Sequence, residues 1–126
     1  LILIDDSIVR GTTSKKIISL LRASGATEVH MVVASPIVKY PCYFGVDMDT
    51  RDQLIGGYRN ADEICKIIGA DSLHYVPLDC LVKACGGIDY CTGCFNEDYS
   101  VDVSDICDEK GILSRACCDI EFECEE

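Results

Sequence analysis

Apolar residues open the chain as an unbroken run, Leu1-Ile2-Leu3-Ile4, which stops at two acids, Asp5 and Asp6. A continuous run of this kind predicts a strand buried on both faces in a parallel sheet, and the acids mark its carboxyl end, where open α/β sheets place ligands. From residue 13 to residue 24 the period changes. Ile17, Ile18, Leu20 and Leu21 form a helical stripe, Thr13 or Ser14 is a candidate N-cap, and Gly25 supplies the stop. Residues 28–34 are rich in β-branched and apolar side chains and read as the next strand, so residues 1–34 make one βαβ unit with a right-handed crossover expected.

Further along, the two prolines and Gly45 of residues 35–47 predict a loop or short edge segment that carries Cys42. A short helical turn over 50–55 follows, with Thr50 as its N-cap. Asn60-Ala-Asp-Glu63 is a capping box before Ile64, Ile67 and Ile68, and Gly69 closes that helix. Residues 71–76 read as a strand and 77–85 as a helix with Leu78, Leu81, Val82 and Cys85 turned inward. Strands alternating with helices make the fold class α/β with a parallel sheet.

Length and charge narrow the function. With 126 residues, 48% of them hydrophobic, the chain can bury one core. Its net charge of -11 argues against a nucleic-acid surface or an anionic membrane surface, without forbidding an anionic ligand held by a helix N-terminus and local cations such as Arg10, Lys15 and Lys16. No apolar run approaches the roughly 18 residues of a membrane span, and the opening run lacks the positive flank of a secretion signal, so a cytoplasmic location is expected. A chain that opens with Leu inside a strand is expected to be a C-terminal piece of something longer.

The chemistry gathers after the first strand. Asp5 and Asp6 could hold Mg²⁺, directly or through its waters, or accept hydrogen bonds from vicinal sugar hydroxyls. Arg10-Gly11-Thr12-Thr13 then brings a glycine, two hydroxyls and the free N–H groups of a helix start, which together favour an anion. Gly11 is expected where the backbone nears a phosphate or takes a positive φ, so that a side chain there would fill the phosphate's place. A bland reading competes, because Asp-Asp-Ser is ordinary turn composition. The string is neither a Walker loop, since no glycine stands five positions before Gly11, nor a dinucleotide fingerprint.

Residues 3–14, Leu-Ile-Asp-Asp-Ser-Ile-Val-Arg-Gly-Thr-Thr-Ser, closely resemble the phosphoribosyl pyrophosphate motif of type I phosphoribosyltransferases, in the form found in the glutamine phosphoribosylpyrophosphate amidotransferase family. Lys39-Tyr-Pro-Cys42 with the aromatics and Gly45 after it, Asn60-Ala-Asp-Glu-Ile64 and Pro77-Leu-Asp-Cys-Leu-Val82 extend the likeness to about residue 99, with one departure at Ser35-Pro36-Ile37, where the family usually has Ser-Pro-Pro. The resemblance implies the C-terminal part of a type I phosphoribosyltransferase fold over 1–99. It also implies that Asp5 and Asp6 hold the ribose hydroxyls and Mg²⁺, while Ser7, Arg10, Gly11, Thr12 and Thr13 surround the 5′-phosphate.

The whole enzyme would make phosphoribosylamine from phosphoribosyl pyrophosphate and glutamine, the opening step of purine synthesis, as a homo-oligomer. Its glutaminase nucleophile would lie upstream, so no catalytic residue is expected in this chain. The alternative is a non-catalytic relative that keeps the loop as a sensor of phosphoribosyl pyrophosphate. A metal or redox module built on the cysteines alone would leave the acid pair without a purpose.

The ten cysteines divide by setting. Cys65 and Cys85 lie on helical stripes and read as buried, inert thiols, while Cys80 in a first helical turn is undecided. Cys91-Thr-Gly-Cys94 is a Cys-x-x-Cys knuckle, by itself ambiguous between half a zinc site, a redox pair and two cluster ligands. Neither His30, read as a strand surface residue, nor His74 is a strong fourth ligand. The resemblance implies that Cys42, Cys91 and Cys94 ligate a four-iron, four-sulfur cluster whose remaining ligand lies upstream. Residues 100–126, with Cys107, Cys117, Cys118 and Cys124 among many acids, read as a solvated acidic tail with a second metal site unsupported.

Overall fold

The computed structural model describes residues 1–46, 48, 50–87 and 90–103, so most of the acidic tail, with its four cysteines, lies outside the described residues. Three strands, β1 (Ile2–Asp5), β2 (His30–Val33) and β3 (Ser72–Tyr75), form one parallel sheet in the order β1-β2-β3. Parallel neighbours need a crossover, and here helices supply it: α1 (Thr12–Ala23) joins β1 to β2 and α2 (Ala61–Ile68) precedes β3. The register places Leu3, Met31 and Leu73 side by side on one face and Ile4, Val32 and His74 on the other.

The first of those faces is the core. Met31, Val33 and Leu73 are buried with Ile18 of α1 and Ile64 and Ile68 of α2, each such side chain contributing about 1.5–3 kcal/mol relative to exposure. On the opposite face His30 and Val32 are only partly buried by the described residues, and Ile2 and Ile4 are 69% and 74% exposed. The expectation that β1 is buried on both faces is therefore corrected. An apolar run records that both faces are suited to burial, but both helices lie on one side of this sheet, and β1 is at its edge.

Local signals set the helix ends. Asn60 Oδ1 accepts from the Glu63 N–H at 3.0 Å while Glu63 accepts from the Asn60 N–H at 2.9 Å, the predicted capping box. Gly69 stops α2 at a left-handed φ of 81°. Asp71 ties the two crossovers together: its Oδ2 accepts from the Val29 N–H at 2.7 Å and from Arg22 at 2.8 Å, and Arg22 also donates to the Gly69 carbonyl at 3.0 Å. These bonds hold the Asp71 carboxyl below its usual range, with the Val29 N–H as the largest cause and Arg22 next.

The remaining elements are short. A 3₁₀ turn at Arg51–Gln53, α3 (Leu78–Ala84) and a one-turn α4 (Gly93–Asn96) complete the described elements. Leu78, Leu81 and Val82 are only partly buried and Cys85 is exposed, which corrects the expectation of a buried thiol there. The stripe on α3 lacks a packed neighbour that would cover Cys85. Cys65 is partly buried against the core, and burial pushes its thiol up, as a small hydrophobe in an apolar setting should behave.

Candidate functional site

The acids stand at the carboxyl end of β1, and the chain turns there by bonding to itself. Asp5 Oδ1 accepts from the Asp6 N–H at 3.0 Å, and Asp6 Oδ1 accepts from the Ser7 N–H at 2.6 Å and the Ser7 hydroxyl at 3.3 Å. Only one oxygen of each carboxylate is used in this way. Each Oδ2 has no protein partner among the described residues and remains for a ligand, whether a hydroxyl or a hydrated cation. Residues 5–14 line an open cavity of about 490 Å³.

The other wall of the cavity is the start of α1. Its N-cap is Gly11, at φ 76° and ψ -4°, and no side chain caps the helix, so neither Thr13 nor Ser14 plays that part. The first intrahelical bond is from the Lys15 N–H to the Gly11 carbonyl at 3.0 Å. The N–H groups of Thr12, Thr13 and Ser14 are thus left without an intrahelical partner, and they carry the positive end of the helix dipole. Uncapped donors facing a cavity walled by two acids suit an anion that also presents hydroxyls or a metal.

Gly11 takes the positive φ expected of it, but a side chain would not point into the cavity. A Cβ built there would run into Ile55 Cδ1 and reach Ile68, which are core atoms. The expectation that a larger residue would fill the phosphate's place is thus corrected: Gly11 shapes the loop from behind. Nothing in the first fourteen residues signals Ile55. Its N–H also donates to the Val9 carbonyl at 2.8 Å, which fastens the 51–57 turn to the back of the loop.

The cysteines form a second locus. The backbone brings the Cys42 loop and the knuckle together, since the Lys39 and Tyr40 N–H groups both donate to the Cys94 carbonyl, at 2.9 and 3.0 Å. Tyr99 adds a clasp: its hydroxyl donates to the Pro41 carbonyl at 2.8 Å and its ring packs on Tyr43, with centroids 5.1 Å apart. Gly93 is required in the knuckle because a Cβ would strike the Tyr99 ring. The aromatic run after Cys42 hinted at such packing, although Tyr99 itself carried no signal.

Burial raises the Cys94 thiol above its ordinary value, and the charges of Cys42 and Cys91 raise it further. Cys94 thus senses both other sulfurs, and a bound cation would favour its thiolate. The Phe44 N–H donates to Cys42 Sγ at 3.4 Å. Still, no three His, Cys, Asp or Glu side chains converge as a metal site among the described residues. Three soft donors on adjoining loops fit a thiophilic metal or cluster in kind, and a further ligand would have to complete the set.

No helix among the described residues is long and apolar enough to cross a membrane. No family model matches the chain. Curated relatives do: it is 50% identical over 101 residues to the amidophosphoribosyltransferase of Synechococcus elongatus and 46% identical over 118 residues to that of Methanothermobacter thermautotrophicus, covering 79% and 90% of this chain. It spans only 20% and 25% of the length of those two relatives. Among solved structures it matches the glutamine phosphoribosylpyrophosphate amidotransferase of B. subtilis complexed with ADP and GMP, with a TM-score of 0.76 and 37% identity over 89% of this chain and 25% of that one. A structure described as the allosteric regulatory enzyme of purine biosynthesis gives a TM-score of 0.76 at 38% identity, over 89% of this chain and 24% of that one.

Proposed function

We propose that this chain is the C-terminal portion of the phosphoribosyltransferase half of an amidophosphoribosyltransferase, which joins an ammonia nitrogen from glutamine to the anomeric carbon of phosphoribosyl pyrophosphate. The observation that carries the reading is the uncapped start of α1 facing Asp5 and Asp6 across one cavity, in a chain half identical to an enzyme of that name. The regulator reading has no observation of its own in its favour.

In this reading the residues act by position and charge. The N–H groups of Thr12 and Thr13, with the hydroxyls of Ser7, Thr12 and Thr13 and the Arg10 side chain, surround the 5′-phosphate, and Gly11 lets the backbone turn around it. The free carboxylate oxygens of Asp5 and Asp6 accept from the ribose 2′ and 3′ hydroxyls or hold Mg²⁺, which when bound offsets the charge of the departing pyrophosphate. Fixing both ends of the ribose holds its anomeric carbon in place while positive charge develops there, which is positioning and electrostatic work that needs no general base at this loop. The glutaminase nucleophile belongs to the remainder of the enzyme.

Cys42, Cys91 and Cys94 are, in the same reading, three ligands of a four-iron, four-sulfur cluster. The adjacency of the two loops and the soft donor set support this assignment. The proposed reaction moves no electrons, so the cluster would serve as a clip between segments. The protein would act in the cytoplasm as a homo-oligomer, with residues 1–99 in the folded unit and 100–126 as its acidic tail.

The test is synthesis of phosphoribosylamine by the full-length protein purified without oxygen. Glutamine- and Mg²⁺-dependent release of pyrophosphate from phosphoribosyl pyrophosphate is expected, from a brown protein carrying about four irons and four sulfides per subunit. Binding of phosphoribosyl pyrophosphate with no turnover would favour the sensor instead. A colourless preparation with one zinc would replace the cluster by a structural zinc site.

A further inference from the structure

We infer that Ile55 is a positioning residue for the phosphate-binding loop, acting on a phosphate monoester that it does not touch. The inference rests on the reading of residues 5–13 as a phosphoribosyl site. It adds a residue that lies far from that motif in sequence and has no polar group.

Two contacts converge on the middle of the loop, and both come from Ile55. Its N–H donates to the Val9 carbonyl at 2.8 Å, and its Cδ1 occupies the space directly behind Gly11. Gly11 is the residue whose left-handed backbone aims the first N–H groups of α1 at the cavity. No side-chain cap fixes that turn from the front, so the support comes from behind. Ile8 of the loop and Ile55 are 2% and 5% exposed, members of one core cluster with Ile18 and Ile68.

Ile55 is itself held tightly. The Gly57 N–H donates to the Leu54 carbonyl at 3.1 Å, and Arg51 Nε donates to the Gly57 carbonyl at 3.0 Å. The Arg51 guanidinium lies over two rings, 4.5 Å from the centroid of Tyr40 and 4.6 Å from that of Tyr58. A Cβ on Gly56 would strike Ile37 and the Val38 carbonyl, so this turn is seated against the preceding loop without slack. The loop's free donors are thereby braced by a turn that is itself wedged in place. Anion recognition by backbone N–H groups depends on their direction, and a misplacement of about 1 Å around a reacting centre can cost about a hundredfold in rate.

An ordinary core residue would contribute to stability alone, which suggests the control. Ile64 is at least as buried as Ile55 and belongs to the same cluster, but its N–H donates to the Asn60 carbonyl and not to the loop, and it is not among the atoms nearest to a Cβ built on Gly11. The experiment is calorimetric titration of the full-length protein, and of its Ile55→Val, Ile55→Ala and Ile64→Val variants, with ribose 5-phosphate and with phosphoribosyl pyrophosphate. Ile55→Val removes the Cδ1 that lies behind Gly11 and keeps the fold if Ile55→Ala does not.

Affinity for both ligands is expected to fall by about threefold in Ile55→Val and by about tenfold in Ile55→Ala, with Ile64→Val at the wild-type value although all three lose thermal stability. Gly11→Ala should bind more weakly than the wild type, and adding Ile55→Val to it should restore part of the loss by making room for the Cβ. Equal affinities in Ile55→Val and Ile64→Val, or a double variant whose losses simply add, would reduce Ile55 to a packing residue. A wild-type protein that binds neither ligand would overturn the phosphoribosyl reading itself, and this inference with it.

Discussion

The phosphate loop and the cysteine knuckle are two ways of building a site. The loop lies within one βαβ unit: β1 delivers the acids, Gly11 turns the chain, and α1 presents its donors, all within the first fourteen residues. The knuckle has little local structure, a four-residue α4, and owes its place to contacts from elsewhere in the chain. The Lys39 and Tyr40 N–H groups hold its Cys94 carbonyl, and Tyr99 locks it against Pro41. Secondary structure thus supplies the groups of the first site, braced from behind by the Ile55 turn, whereas the second owes its placement to long-range tertiary bonds alone. Damage to the loop should change function sharply at a point, while damage to the knuckle should loosen a region.

Gly11→Val should give the largest effect, because it forces a β-branched residue to a φ of 76° and drives its Cβ against Ile55. Backbone strain of about 1–3 kcal/mol and overpacking of similar size both apply, so a fall of about 2–5 kcal/mol in unfolding free energy is expected by urea denaturation. A variant as stable as the wild type would show that the loop does not depend on the core behind it. Gly93 differs in having no left-handed φ, so a side chain there would meet the Tyr99 ring without that backbone strain.

Asp6→Asn comes next. A neutral amide accepts and ligates more weakly than a carboxylate, and a charge-assisted bond contributes about 1.5–3 kcal/mol, so phosphoribosylamine formation should fall about ten- to a hundredfold with glutamine hydrolysis retained. Unchanged synthesis would remove the acids from the site. Because the substitution is nearly isosteric and at an exposed residue, the melting temperature should hardly move.

Tyr99→Phe should do the reverse, leaving affinity for phosphoribosyl pyrophosphate alone and loosening the knuckle. It removes the donor to the Pro41 carbonyl while keeping the ring on Tyr43, a loss of about 0.5–1.5 kcal/mol. Hydrogen exchange of the Lys39 and Tyr40 amides should quicken while that of the Lys15 amide in α1 stays as it was. Equal quickening at both places would show that the two sites share one cooperative unit.

The smallest effect expected is at Asp71, which joins the two halves of the sheet outside both sites. Its carboxyl titrates below the usual range in the folded protein, chiefly because it accepts from the Val29 N–H and then because of Arg22. The stabilisation is therefore complete above the unfolded carboxyl's pKa and is lost as pH falls through the lower folded value. Asp71→Asn should flatten that acid limb of the stability curve and leave stability at neutral pH only slightly reduced, since the group is exposed and screened. An acid limb of unchanged steepness would place the proton uptake on other carboxyls.

Much of the first site was legible in the linear chain. An apolar run ending in acids, a glycine before a helical stripe and a capping box at Asn60 are signals read over a few residues, and each strand and helix of the sheet follows from them. Two readings failed for the same reason. Whether Ile2 and Ile4 are covered, and whether Cys85 is buried, depends on which elements pack beside them, and periodicity marks only which faces are suited to burial. Chain order and local conformation were determined by the sequence because backbone preference and hydrophobic period act between near neighbours. Tertiary structure alone decided that Ile55 stands behind Gly11 and that Tyr99 clasps the Cys42 loop, since close packing brings together residues whose separation along the chain leaves no periodic trace.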